Sequence, residues 1–219
     1  DSGRYTGKII SFHDITREHE IDRMKTEFIS TAAHELRTPL TSILGFYEIL
    51  CTRNDINAQE TEKYLGYINK QSVRLAKIIN EILDISRIES GKGIDLNKAA
   101  CPINDIITQV TELFEEQAKQ HAFALHLPDQ HVMLQADPEK IEQLLKNVLS
   151  NAVKYSPGGG EITITATLND SRYRIEVSDQ GIGMTPDQLE HIFDKFYRAD
   201  ASNTAIEGTG LGMSIVKQI

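Results

Sequence analysis

The chain has 219 residues, with 23 Lys and Arg against 32 Asp and Glu, a formal net charge of −9. That length suggests one large or two modest domains, and a 40% hydrophobic content supports a folded core and excludes a disordered chain. The acidic balance excludes sequence-independent nucleic-acid binding, which needs a basic surface to displace counterions. Cys51 and Cys101 are too few for a disulfide framework and fit a reducing compartment. No run reaches the length of a transmembrane helix and no signal peptide opens the chain. The expectation is a soluble cytoplasmic piece with no nucleic-acid partner and no membrane contact of its own, cut from a parent that is free to be membrane-anchored.

The first segment, Tyr5 to Phe12, reads as a strand through Ile9, Ile10 and Phe12, the cut end of something larger. A helix is expected from about Arg17 to Leu50. Ile21, Met24, Phe28, Ala32, Leu36, Leu40, Ile43, Tyr47 and Leu50 recur at a mean step of about 3.6 residues, the helical period. Polar Cys51–Gln59 reads as the turn of a hairpin. A second helix follows from about Glu60 to Glu89. Its Leu65, Ile68, Ser72, Leu75, Ile79 and Ile82 alternate steps of three and four, a coiled-coil-like seam. Ile29, Leu44, Ile78 and Leu83 add further apolar positions, more than two helices can bury between them. The economical solution is a homodimer forming a four-helix bundle.

The double-glycine stretch Gly91-Lys92-Gly93 reads as a helix stop and linker. Beyond it the composition shifts, and residues 97–219 carry 10 basic and 17 acidic side chains. Ile103–Gln120 reads as a helix, and Phe123, Leu125 and Leu127 alternate as a strand. Asp137-Pro138 is an N-cap with proline at the first helical position. Ile141, Leu144, Leu145, Val148, Leu149 and Ala152 form that helix's buried face, and Pro157-Gly158-Gly159-Gly160 ends it. Ile162 to Leu168 and Tyr173 to Val177 alternate as two strands. The pattern is α+β, with helices on one face of a mixed sheet.

Four constellations carry chemistry. His34 lies two residues from both Ala32 and Leu36, about 200° around the helix, so it faces solvent. Glu35 is adjacent and can exchange an imidazole proton. Thr38 shares the His34 face, and Pro39 frees the Glu35 carbonyl and bends the helix. Asn147 and Asn151 stand one turn apart on a helix that has no propensity reason for them, and their oxygens suit a hard divalent cation. Asp179-Gln180-Gly181-Ile182-Gly183 follows a strand end, where a carboxylate can accept from an exocyclic amine and glycine backbone can approach a flat base. Gly208-Thr209-Gly210-Leu211-Gly212 opens the helix Met213–Ile219, and backbone N–H groups there suit a polyphosphate. A dinucleotide loop is rejected because the polar stretch Asp200–Glu207, not a strand, precedes it. A P-loop is rejected because its Gly-Lys-Ser/Thr ending is missing. His121, His126 and His131 have a spacing that fits neither a helix face nor a strand face, so they are read as solvated positions without metal.

His34-Glu35-Leu36-Arg37-Thr38-Pro39 resembles the H box of bacterial two-component sensor histidine kinases. Asn147 to Tyr155 resembles the family's N box, Asp179 to Gly183 its G1 box, Phe193 to Arg198 its F box, and Gly208 to Gly212 its G2 box. The five stand in family order, and the resemblance covers nearly the whole chain, from about Ile9. The resemblance implies a dimeric helical hairpin over residues 17–92 and a GHKL-type ATP-binding α+β sandwich over 93–219, short at its C-terminus. Residues 1–16 would be the last strand of a PAS sensor domain. The implied activity is ATP-dependent autophosphorylation of His34, followed by transfer to an aspartate of a response-regulator receiver domain. Glu35 would be the general base, and Thr38 would position water in a phosphatase reaction. Asn147 would bind Mg²⁺, Asn151 and Lys154 the phosphates, and Tyr155 would line the adenine side. Asp179, with Gly181 and Gly183, would bind adenine; Arg198 would reach the γ-phosphate; Thr209, Gly210, Leu211 and Gly212 would cradle the phosphates at the end of an ATP lid. The alternative is a non-catalytic dimeric scaffold that binds nucleotide without transferring phosphate.

Overall fold

A computed structural model of the chain describes residues 11–53, 55–170, 172–198 and 210–219. The strand expected from Tyr5 lies outside the described residues as far as Ile10. Phe12 is described, belongs to no strand and is 91% exposed. The polar stretch Asp200–Glu207, with Gly208 and Thr209, also lies outside the described residues.

Two long helices, α1 (Thr16–Thr52) and α2 (Ala58–Glu89), form the hairpin. Helix α1 runs through Pro39 unbroken, and the Pro39 ring is fully buried. Two hydroxyls bond backbone carbonyls beside it: Thr38 Oγ1 donates to His34 O at 3.2 Å, and Ser42 Oγ to Thr38 O at 3.1 Å. The connection is shorter than the expected Cys51–Gln59 because Asn57 caps α2. Its side chain accepts from Glu60 N at 2.8 Å, and the Glu60 carboxylate accepts from Asn57 N at 3.3 Å. This reciprocal box satisfies two backbone donors and sets the helix start. Phe46 stacks against Tyr64 and Tyr67 near the hairpin tip, with centroids 5.7 and 5.0 Å apart.

The seam of α2 agrees with the expected one at Ile68, Leu75 and Ile82, which are half-buried, and departs from it elsewhere. Leu65, Ser72 and Ile79 are exposed, whereas Ile78 and Ile85 are buried seven residues apart. Helix α2 has two apolar faces, and periodicity alone does not say which one meets α1. Leu65, Ile79 and Leu83 belong to the outer face, as do Ile29, Leu40, Leu44 and Tyr47 of α1.

The remainder is an α/β unit. In chain order it comprises β1 (Ala99–Pro102), α3 (Ile103–Gln117), β2 (His121–His126), β3 (Met133–Ala136), α4 (Pro138–Lys154), β4 (Gly160–Asn169), β5 (Arg172–Ser178), α5 (Pro186–His191) and α6 (Gly212–Gln218). Strands β2, β4 and β5 form a mixed sheet in the order β2-β4-β5. The β2–β4 pair is parallel, with Phe123 opposite Ile162, and the β4–β5 pair is antiparallel, with Ala166 opposite Ile175. A separate antiparallel pair joins β1 to β3. Those two strands were not expected, because four residues are too few to show an alternation. Helix α3 ends three residues before the expected Gln120, where the chain turns into β2.

The core lies between α3, α4 and β4. Ile103, Ile107 and Val110 meet Leu145, Leu149, Ala152, Ile162, Ile164 and Ala166. The expected Asp137 cap is present: Asp137 Oδ1 accepts from Glu139 N at 3.0 Å and from Lys140 N at 3.2 Å. Its other oxygen accepts from Asn97 N at 2.8 Å, tying the approach to β1 onto the start of α4. That last bond is the chief cause holding the Asp137 carboxyl below the usual carboxylate range.

Ile162 is fully buried on the central strand. Ile162→Ala should destabilise the chain by about 2–5 kcal/mol. Urea unfolding followed by circular dichroism measures this, and a cost below about 1 kcal/mol would remove Ile162 from the core.

Candidate functional site

The hairpin presents His34 on its outer surface, as the spacing predicts. Thr38, one turn on, is also exposed, though its hydroxyl is engaged with the His34 carbonyl. Glu35 turns the other way. Its side chain is 16% exposed, and Oε2 accepts from Arg74 Nη2 of α2 at 2.9 Å. Nothing in the period of α2 singled out Arg74, which flanks the expected seam.

The nucleotide-type motifs converge on α4. Asn147 is 7% exposed, far more buried than an outer flank position. The α4 face rotates toward α6, leaving Ile141, Leu144 and Val148 only half-buried. Asn147 Nδ2 donates to Gly212 O at 3.3 Å, and a Cβ at Gly212 would lie 3.5 Å from the Asn147 amide carbon. With Nδ2 turned to that carbonyl, Oδ1 is the side-chain atom left for a hard cation. The donor chemistry therefore fits a magnesium ion, which characteristically completes its shell with water and phosphate oxygens. Among the described residues, no group of three His, Cys, Asp or Glu side chains is placed to hold a metal.

Asn151 and Lys154 follow on the last turns of α4, both half-buried, and Lys154 Nζ stands 5.1 Å from the Tyr155 ring centroid. The end of α4 meets the Asp179 loop directly. Tyr155 O accepts from Ile182 N at 3.0 Å, and Asp179 Oδ1 accepts from Gly181 N at 2.9 Å. A Cβ at Gly181 would run into the Tyr155 carbonyl and lie 2.9 Å from Ser156 Oγ, so only glycine fits. Gly183, two residues on, is exposed. A cavity of about 410 Å³ opens beside this contact, lined by Ser156, Gly158, Gly159, Gln180, Gly181 and Ile182 among others. Neither Asn147, Asn151 nor Lys154 lines it.

Gly210 adopts φ +71°, and a Cβ there would lie 3.1 Å from both Arg198 Cγ and Tyr197 O. The G2-like and F-like segments are thus in contact. Leu211 is fully buried. Thr209 lies outside the described residues.

The hairpin and the α/β unit touch. Phe28 packs on Phe196 with centroids 4.5 Å apart, and Ile85 and Ile88 pack with Leu211, Ile215 and Ile219. Beside this apolar contact, Lys140 Nζ donates to Asp84 at 3.2 Å and to Gln143 Oε1 at 2.9 Å. Gln143 Nε2 donates to Asp84 Oδ2 at 3.1 Å. This triad was not legible in the sequence, because Asp84 lies 56 and 59 residues from Lys140 and Gln143 and none of the three belongs to a motif.

Residues 24–91 match the model of the His Kinase A (phospho-acceptor) domain, and residues 136–219 match that of the histidine kinase-, DNA gyrase B- and HSP90-like ATPase. The chain thus carries a histidine-kinase phospho-acceptor domain followed by an ATPase domain of the histidine kinase type, and it spans about a third to a half of the length of the curated sensor histidine kinases it matches. It is 33% identical over 223 residues to sensor histidine kinase WalK of Bacillus subtilis (strain 168), covering all of this chain and 36% of that protein. Among solved structures, full-length ShkA in complex with AMPPNP aligns with a TM-score of 0.58 and 28% identity, over 90% of this chain and 40% of that one. Histidine kinase ThkA in complex with response regulator protein TrrA aligns with a TM-score of 0.50 and 27% identity, over 84% of this chain and 54% of that one. The fold is that expected: a helical hairpin followed by an α+β unit of the GHKL ATPase type.

His191 at the end of α5 pairs with Asp194, Nδ1 to Oδ2 at 2.8 Å, and this hydrogen bond raises the histidine pKa above its ordinary value. The pair's contribution is complete below the ordinary pKa and is lost as pH rises through the higher folded value. Asp194→Asn should bring the His191 titration down, read by NMR of the imidazole protons. An unchanged midpoint would remove Asp194 as the cause.

Proposed function

We propose that this chain is the kinase core of a longer sensor protein, transferring the γ-phosphoryl group of ATP to His34 and then to an aspartate of a response-regulator receiver domain. The carrying observation is the exposed His34 within a phospho-acceptor domain match, joined in one chain to an ATPase-type unit. ATP·Mg²⁺ would sit along α4, with Asn147 holding the ion, Asn151 and Lys154 the phosphates, and Tyr155, Asp179, Gly181 and Gly183 the adenine end. Arg198 and the Thr209–Gly212 segment would close over the phosphates. A bound magnesium ion would offset the charge of the phosphate oxygens.

A neutral imidazole nitrogen of His34 attacks the γ-phosphorus. The N–P bond forms as the bond to the β-phosphate oxygen breaks, and ADP leaves. Glu35 takes the imidazole proton. Glu35 Oε2 is engaged by Arg74 Nη2 on the side away from His34, so this role requires Glu35 to leave Arg74. Transfer also requires the α/β unit to shift along the hairpin, since His34 lies six residues, about 9 Å, beyond the docked Phe28. Thr38 would orient water in a phosphatase reaction once its hydroxyl turns from the His34 carbonyl. The outer apolar face of Ile29, Leu40, Leu44, Tyr47 and Leu65 fits a second copy of the hairpin, giving the four-helix bundle. That ThkA was solved with a response regulator supports the same kind of partner here.

His34→Gln should abolish acid-labile phosphate incorporation from radiolabelled ATP while AMPPNP binding stays within about twofold of wild type. Full incorporation in that variant would sink the assignment. Asp179→Asn should weaken AMPPNP binding roughly tenfold to a hundredfold, the expected loss of a charged hydrogen-bond acceptor. Equilibrium binding by calorimetry measures it.

A further inference from the structure

His121 opens β2, at the edge of the nucleotide-type site and outside every motif. It is not the solvated position that its spacing suggested. Its ring is half-buried, and Nε2 lies 2.9 Å from Ser156 O. A carbonyl oxygen only accepts, so Nε2 carries the hydrogen and donates it. In the neutral ring Nδ1 is then the lone-pair nitrogen, and it is buried with no hydrogen-bond partner among the described residues. An orphaned buried polar atom is costly, and such a residue persists where its other bond matters.

The acceptor explains what that bond does. Ser156 is 2% exposed and belongs to the turn that ends α4. Its carbonyl also accepts from Gly159 N at 3.0 Å. The preceding carbonyl, that of Tyr155, accepts from Ile182 N and meets the close approach of Gly181. One turn therefore uses consecutive carbonyls to hold two elements: the start of β2 through His121, and the Asp179 loop through Ile182. Tyr155 is the C-cap of α4 and Ser156 the residue after it, so both carbonyls point beyond the helix and take donors from other segments.

We propose that His121 is a positioning residue for the nucleotide site. By holding Ser156 O it locks the Tyr155–Ser156 turn, and through Tyr155 O that turn sets the height of the Asp179 loop. His121 touches no reacting atom. The inference rests on the proposed nucleotide reading. It assigns His121 an effect on nucleotide affinity and none on the phosphoryl step at saturating nucleotide.

The test compares wild type, His121→Leu and His121→Gln as the full 219-residue chain. AMPPNP affinity with Mg²⁺ is measured by calorimetry, and melting temperature is measured without nucleotide. His121→Leu should bind AMPPNP about fivefold more weakly, the loss expected for one buried hydrogen bond. It should raise the KM for ATP in autophosphorylation by a similar factor and leave kcat within about twofold. His121→Gln keeps an amide donor at the distance of Nε2 and should restore affinity to within about twofold. Should His121→Leu fail to fold, His121→Asn, whose amide stops short of Ser156 O, takes its place with the same expected loss. Unchanged affinity in a folded Leu or Asn variant overturns the inference, as does loss that Gln does not rescue. Failure of the wild-type chain to bind AMPPNP overturns the nucleotide reading, and the inference with it.

Discussion

Leu145, Leu149 and Ala152 commit one face of α4 to the α/β core, and the rest of the candidate site takes its coordinates from that commitment. A helix fixed in rotation by three buried side chains has no freedom left for its other positions. Asn147 is turned to α6, where its amide meets Gly212 O. The C-terminal end is turned to the Asp179 loop, where Tyr155 O meets Ile182 N. The Asp137 cap fixes the first turn and, through Asn97, the strand that leads into the unit. Site geometry built this way rests on a rigid element packed at interior density, which holds ligating groups more accurately than loops do.

Helix α6 connects that site to the hairpin. Its Gly212 carbonyl faces Asn147, while Leu211 and Ile215 pack against Ile85 of α2. Seven residues thus serve two neighbours at once, and a shift of α2 bears on the residue proposed to hold the metal. The contact combines two kinds of interaction. Burial of Ile85, Leu211 and Ile215 supplies adhesion, which is non-directional. The Asp84–Lys140–Gln143 triad supplies register, because its bonds are directional and its charged members are shielded from bulk water. Such a surface resembles interfaces between domains that separate and rejoin more than a permanent core. This agrees with a reaction that needs the nucleotide brought to His34 from a docked position beside Phe28.

Legibility in the sequence followed the range of the interactions. Helices α1, α2 and α4 and strands β4 and β5 were readable because each repeats one short-range pattern over many residues. The cap at Asp137 and the exposure of His34 were readable for the same reason. Asn147 was visible as an odd residue on a helix, but its burial was not, because the covering element is α6, 65 residues away. The Glu35–Arg74 pair and the His121–Ser156 bond span 39 and 35 residues and carry no periodic signal. The choice between the two apolar faces of α2 depends on which one packs inside the chain, and a single chain's pattern holds both. Among the described strands β1 and β3 pair only with each other, and neither four-residue segment announces itself alone.

The charge balance gains a sharper meaning from these placements. The α/β unit is the acidic half of the chain, yet it is the half read as taking a polyanion. Several of its bases are committed to carboxylates: Lys140 pairs with Asp84, and Lys146 with Glu142. Lys154 stands against the Tyr155 ring, at the end of α4 and one turn or less beyond Asn151. Arg198 lies against Gly210, at the mouth of the glycine segment. Basic side chains are thus placed at both ends of the candidate site within a repulsive background. Such a background discourages adventitious anions, and under the proposed reading it leaves binding to a divalent ion, to backbone N–H groups and to these two basic side chains. A net acidic domain and a triphosphate ligand are therefore compatible, because the same charge that opposes a bare polyanion leaves one brought in with its counter-charge unaffected.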